Sequence, residues 1–397
     1  MKAKQVVKNI YYFLVAFALT NSALITFLSN VVDGDLPTLL NRVTLYAIVI
    51  ISIGLIISKK EAIAKVLPAA LFLGCLVVFQ VIFFDQPEGS SYLNNFVIHG
   101  FGGLCVGIAL TDYKKLIKFA GALSFLFGLI FIAEPINRSL LKVNEMSTGY
   151  SLIPLVIFML LWFFTSEQKS RYILLLVAFP LGITTFLFTS RGCGLSIVLA
   201  VAMFYITKLL LKKQKINKRM LFLSFSLVLL FVLSTVLIGS GFINIDGLNE
   251  GSLLYKIFNG TLIDSNGRSE IWDMGFDILR EYPWIGVGFG GDHIIAESYF
   301  ERYSSIHNVL LEVLINFGIP LGLLIICMYF IRFYKGVKNR VDYTAVMLVW
   351  AITSSFLLKL VFSSTYLDNM LPVMLVYGIC TNLYYSKRNL KLGAWEK

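Results

Sequence analysis

Apolar residues in this chain come in long runs, and twelve of these approach the roughly 20 residues needed to cross a bilayer core of about 30 Å. They span 10–29, 40–58, 64–84, 92–110, 116–134, 148–165, 172–189, 194–211, 220–239, 308–331, 343–361 and 370–386. In lipid, each segment must satisfy its own backbone polar groups, so the runs predict helices. The expected fold is an all-α polytopic membrane protein with about 12 transmembrane helices. One large external loop is expected between spans nine and ten. The chain then divides into residues 1–239 (helices one to nine), 240–307 (the loop) and 308–397 (helices ten to twelve and a tail). Lys2, Lys4 and Lys8 precede the first run, as in a signal peptide. That run is long and no clear small-residue cleavage site follows it, so it is read as a retained span.

Charge orients the map. Most lysines and arginines fall in the N-terminus, 59–65, 112–118, 166–171, 208–219, 332–342 and the C-terminus. The alternate segments hold only Arg42, Arg138, Lys142, Arg191, Lys256, Arg268, Arg280 and Arg302. The positive-inside rule makes the first set cytoplasmic, both termini included. Acidic residues such as Asp33, Asp85 and Glu134 follow the opposite trend.

Composition agrees with a lipid environment. Charged residues make up 14% of the 397 and hydrophobic residues 57%, with a mean hydropathy of +0.79. A soluble domain carries about 25% charged residues. The net charge of +11 raises nucleic acid as a partner, but no basic stripe interleaved with aromatics is present, so none is expected. Cys75, Cys105, Cys193, Cys327 and Cys380 form no CxxC and no Cys/His cluster. They read as packing residues, with neither a disulfide framework nor a metal site.

The segment from about Ser240 to Ile306 exceeds the usual loop length, which marks it as functional or disordered. Its second half contains the pattern of an ordered element. Ile271, Trp272, Phe276 and Leu279 fall at helical spacing, and Pro283 stops the helix. An amphipathic helix with Trp and Phe on its apolar face suits a membrane interface. Gly286, Gly288, Gly290 and Gly291 follow. They allow positive φ and close approach of another backbone or a ligand. No predicted strand precedes them, so a dinucleotide fingerprint is a poor reading. Ser304 or Ser305 is placed to cap span ten. His307 then stands at a helix N-terminus, where the dipole favours an anion.

Five charged residues need weighing. Arg191 lies in Thr189-Ser190-Arg191-Gly192, a tight external turn; it either snorkels to headgroups or serves a site. Arg268 opens the interfacial helix and is the stronger candidate of the loop arginines. Arg280 has Asp277 and Glu281 beside it and reads as half of a surface pair. Lys359, near the outer end of span eleven, either snorkels or adds positive charge to a site. Glu312, early in span ten, is placed to pair with one of these cations and is the second candidate for a general base. His99 and His293 read as structural.

Three groups of residues carry a family resemblance: Ser190-Arg191-Gly192; Gly267-Arg268, Trp272, Pro283, Gly286 and Gly288; and His307-Asn308 opening a span that contains Gly318. With the span count and the single long loop, the chain resembles the superfamily of bacterial O-antigen ligases and Wzy-type O-antigen or capsular-polysaccharide polymerases. The motifs occupy the middle third of the chain. The resemblance implies a GT-C-like glycosyltransferase that needs no metal and no cofactor, in the bacterial cytoplasmic (inner) membrane. Its donor would be an undecaprenyl-pyrophosphate-linked oligosaccharide, and its partners beyond the lipid bilayer a flippase and a chain-length regulator.

By the same resemblance, Arg191 and Arg268 would hold the pyrophosphate, and His307 would act at the acceptor hydroxyl. Arg280, Trp272, Asn308, Lys359 and Glu312 would contact substrate. The chemistry fits. Guanidinium groups match phosphate oxygens bidentately, and an imidazole titrates near neutral pH. A polymerase is the favoured reading, with a ligase acting on lipid A-core as the alternative. A flippase or other transporter is the alternative of another class. It would want charges along a midplane pathway and repeated halves, and the sequence offers neither.

Overall fold

The computed structural model describes residues 2–32, 34–84, 89–132, 145–212, 255–256, 268–299, 305–338, 342–367 and 370–392. All regular structure among them is helical, with no strand. The helices are α1 (Lys2–Thr20), α2 (Ser22–Val31), α3 (Leu36–Ile57), α4 (Lys60–Phe83), α5 (Gly89–Asn95), α6 (Gly102–Ala109), α7 (Tyr113–Phe131), α8 (Glu145–Thr165), α9 (Ile173–Phe188), α10 (Arg191–Lys212), α11 (Arg268–Glu281), α12 (Gly291–Tyr299), α13 (Val309–Lys338), α14 (Tyr343–Ile352), α15 (Leu358–Phe362) and α16 (Met370–Leu392). Short π-helical turns at Phe96–Phe101 and Thr353–Leu357 join α5 to α6 and α14 to α15.

Helices occupy every predicted span except 220–239, which lies outside the described residues, as does most of 240–267. Eight helices among the described residues are long and apolar enough to cross a membrane, or nine if a bent pair counts as one span. The expectation of about twelve is thus met only in part. The bent pair is the first predicted span. It breaks by 64° between α1 and α2. Hydroxyls lie on both sides of the break: Thr20 Oγ1 donates to Ala16 O at 2.9 Å and Ser22 Oγ to Ser151 O at 2.8 Å.

The chain forms two compact units. The first comprises 1–44 and 112–264, the second 45–111 and 265–397. In the first, α8 is the central helix: Leu152, Ile153, Leu155, Ile157, Phe158 and Met159 are all fully buried. Helices α1, α7, α9 and α10 pack around it.

In the second unit, α6 and α16 touch backbone to backbone. A Cβ on Gly103 or Gly107 would collide with the carbonyls of Leu371 or Leu375, the close approach that small residues permit between membrane helices. Asn382 Nδ2 donates to the carbonyls of Gly107 (3.1 Å), Ile108 (2.7 Å) and Leu110 (3.3 Å). These are the carbonyls the end of α6 leaves without helical partners.

Candidate functional site

The second unit gathers polar side chains from four segments, beginning with α11. Its buried residues are Ile271, Met274, Gly275 and Ile278, the i, i+3, i+4, i+7 spacing of one helix face. They pack with Val287, Ala296, Ile306, Leu311 and Ile315. This corrects the expected apolar face. Phe276 is exposed, and Trp272 and Leu279 lie at the margin. Gly275, rather than an aromatic, lets α11 approach Leu311 and Ile306 closely. The packing fixes Arg268 at the helix start, where its Nη2 donates to Ser363 Oγ at 3.2 Å.

The glycine-rich segment after α11 is docked against a break in α13. Gly318 there has φ 73°, ψ 167°. In a continuous helix, Asn316 O would look to residue 320 for a donor, but Pro320 has no N–H. The break resolves this. Val287 N donates to Ile315 O at 2.9 Å, Gly288 N to Asn316 O at 3.0 Å, and Ile319 N to Pro283 O at 2.7 Å. Gly286 and Gly288 also have positive φ. A Cβ on Gly286 would strike the backbone of α13, and one on Gly318 would strike that of Trp284. Phe289 N then donates to Gln80 Oε1 at 2.8 Å.

This docking delivers α12, whose first turn buries Asp292 and His293. Neither Asp292 oxygen has a hydrogen-bond partner of ordinary geometry among the described residues. Burial raises its carboxyl to about 7; Asn316 and the nearby backbone amides oppose that in part. His293 Nε2 lies 3.3 Å from Thr365 Oγ1, and Nδ1 lies 3.5 Å from Tyr92 Oη. Burial, then the neighbouring His307, lowers its imidazole to about 4. The 3.9 Å approach of His293 to Asp292 is therefore not an ion pair at neutral pH.

His307 precedes α13 with φ 55°, a left-handed conformation unusual for a residue with a Cβ. Such conformations cost roughly 1–3 kcal/mol and persist where the surroundings hold them. Ser305 Oγ lies 2.9 Å from its Nδ1. Burial, and then the Arg268 charge, lowers its proton affinity, which favours the neutral ring. The cap of α13 is Asn308, not Ser304 or Ser305: its Oδ1 accepts from Leu310 N (3.2 Å) and Leu311 N (3.3 Å). Ser304 lies outside the described residues.

One turn on, Glu312 is fully buried. Its Oε2 accepts from Tyr366 N at 3.2 Å, a backbone amide where a cation was expected. Asn316 Nδ2 donates to Tyr366 Oη at 3.0 Å. Lys359 is half-buried in α15, one turn before Ser363, whose N–H donates to the Lys359 carbonyl at 2.7 Å. Trp272 Nε1 is buried without a hydrogen-bond partner among the described residues. Arg280 is exposed and pairs with Asp277 at 2.6 Å, as the sequence suggested.

An apolar cavity of about 380 Å³ lies in the same unit. Val309 and Leu310, next to His307-Asn308, line it with Phe72, Phe96, Phe317 and Met370. Its wall is almost wholly hydrocarbon and aromatic, which suits an isoprenoid or acyl chain.

Arg191 belongs to the first unit, as the first residue of α10. Its turn is fixed against the start of α8. Cys193 N donates to Ser190 O at 3.0 Å, a Cβ on Gly149 would meet Thr189 and Cys193, and one on Gly192 would meet the Tyr150 hydroxyl.

Sequence reasoning missed Asp292, Ser363, Thr365 and Tyr366, and read His293 as structural. Gln80 and Asn316 carried a usable signal, as polar side chains inside predicted spans.

The helices are those of a multi-pass membrane protein, and its second unit sets Arg268 near His307, with an apolar cavity lined from Val309 and Leu310 onward. The sequence model of the O-antigen ligase family (Wzy_C) matches residues 173–327, a stretch that contains Arg191, Arg268, His307 and Gly318. The chain is also similar to a ComP-specific O-oligosaccharyltransferase of Acinetobacter baylyi. The two are 23% identical over 273 residues, which cover 66% of this chain and 46% of that protein. The chain thus spans about half the length of the curated relative it matches. The resemblance to the O-antigen ligase superfamily is borne out.

Proposed function

We propose that the chain is a glycan-transferring enzyme that moves a preassembled oligosaccharide from undecaprenyl pyrophosphate to a sugar hydroxyl at the outer side of the cytoplasmic membrane. The observation that carries this reading is the nearness of Arg268 to His307, just before Val309 and Leu310, which line the apolar cavity. In the transfer, the acceptor hydroxyl oxygen attacks the anomeric carbon of the donor. Its proton passes to the His307 imidazole. The bond between the anomeric carbon and the pyrophosphate oxygen breaks, and its electron pair leaves on the pyrophosphate. Arg268 offsets the charge that grows there. Arg191 takes the same role on the sequence argument and the family match. The cavity holds the lipid chain. No metal takes part in this scheme. Activity should therefore survive chelation, and loss on chelation with recovery on adding a divalent ion would refute that part.

The acceptor in the favoured reading is a second lipid-linked repeat unit, which makes the chain a polysaccharide polymerase working beside a flippase and a chain-length regulator. The family match and the A. baylyi relative favour a second reading, transfer to a separate acceptor such as lipid A-core. Gel analysis of glycans from cells lacking the gene, with and without complementation, separates them. A polymerase restores a ladder of lengths on the lipid carrier. A ligase restores attachment to the final acceptor while carrier-linked lengths stay unchanged. Normal glycans in the deletion strain would sink both.

A further inference from the structure

We infer that Glu312 is the positioning residue of the site: a buried carboxyl that fastens the start of α13, directly after the left-handed His307, to the segment 363–367. Burial argues first. Glu312 is fully buried in α13, so it cannot reach a substrate from bulk solvent, and an unpartnered carboxylate there would be costly. Its connections argue second. Oε2 accepts from the Tyr366 amide at 3.2 Å, and Glu312 N donates to Asn308 O, the residue after His307, at 2.8 Å; Oε1 has no hydrogen-bond partner among the described residues.

The residues so gathered each hold a candidate group. Ser363 binds Arg268, Thr365 faces His293, and Tyr366 binds Asn316 at the break in α13. Glu312 thus joins the start of α13 to the segment that carries those contacts.

This deepens the reading of His307 as the group that meets the acceptor hydroxyl. Its test does not depend on that reading, because it measures the histidine itself. The chain has three histidines, His99, His293 and His307. Modification of the purified, detergent-solubilised chain by diethyl pyrocarbonate, read by mass spectrometry, therefore gives three separable rates. Glu312→Gln keeps the length and an acceptor oxygen for Tyr366 N–H. Glu312→Asp keeps a carboxyl but is a methylene too short to reach the Tyr366 amide from α13. Leaving a buried N–H without its acceptor costs about tenfold or more in an equilibrium constant. The expected result is a His307 rate in Glu312→Asp raised by about tenfold, with His99 and His293 unchanged. In Glu312→Gln, His307 should stay within about threefold of the parent, since the Tyr366 amide keeps its acceptor. An unchanged His307 rate in Glu312→Asp overturns the inference. So does a parallel rise at all three histidines, which marks general loosening, or a Glu312→Gln variant as reactive as Glu312→Asp. If the shorter variant does not accumulate, Glu312→Leu takes its place with the same expectation.

Discussion

The Arg268 guanidinium lies near enough to the His307 imidazole to lower its proton affinity, adding to the larger effect of burial. A cation beside a histidine is the wrong neighbour for an imidazolium and the right one for a neutral ring that takes a proton. Arg268→Gln should therefore raise the apparent pKa of His307, while the effect of burial persists. The pH dependence of diethyl pyrocarbonate modification at His307 measures it, because the neutral ring is the reactive form. A profile that fails to move to higher pH would show that the two groups are not coupled.

Gly318 and Gly286 should resist substitution more than a glycine with positive φ in open space. Gly34 has φ 103° with open space where a Cβ would stand, whereas a Cβ on Gly318 or Gly286 would meet backbone atoms. Alanine at Gly34 should cost about 1 kcal/mol from conformation alone. Alanine at Gly318 or Gly286 adds a backbone collision and should cost several times more, on the scale of the largest single-residue effects, roughly 4 kcal/mol. Thermal unfolding in detergent checks the order, and equal losses at all three positions would argue against the docked loop.

The acid in α12 gives a pH signature with a definite sign. Burial raises Asp292 from 3.8 to about 7 in the fold. Its stabilising contribution is then fully present below pH 4 and is lost as pH rises toward 7. His293, lowered from 6.5 to about 4, has the opposite sign: its contribution is present above pH 6.5 and is lost as pH falls toward 4. The two oppose each other in the wild-type chain. Asp292→Asn removes the first, so the variant should gain stability relative to wild type as pH increases from 4 to 7. Melting temperatures across that range test this, and a difference that does not vary with pH would show that Asp292 is not held protonated by the fold.

The helices were legible because lipid leaves a backbone no choice but helix, although only eight or nine of the twelve expected spans are long and apolar enough among the described residues. The break in α13 was not. Gly318 and Pro320 are visible in the sequence, but the carbonyls they release are taken by Val287 and Gly288, far back in the chain. The buried face of α11 was misread because bulk drew attention to Trp272 and Phe276. Close packing instead selected Gly275, whose missing side chain admits Leu311. Arg268 and His307 stood out in the sequence because their residue types fit the chemistry and they sit at helix starts. Asp292 was not, since an acid beside a glycine-rich turn looks solvated until Gln80, Asn316 and Tyr366 are seen to enclose its neighbourhood. Glu312 was noticed but given a cation for a partner; its bond runs to the Tyr366 amide.

The central claim, glycan transfer by His307 with arginine support, is tested most directly in cells lacking the gene. They would be complemented with the parent chain or with Arg191→Ala, Arg268→Ala or His307→Ala, each shown to reach the membrane at parental levels. Glycan length and attachment are read on gels. The parent should restore transfer. Each variant should lose most of it, on the order of 10²-fold or more, as expected when a proton acceptor or a charge-stabilising group is removed. Normal glycans from all three variants would contradict the account.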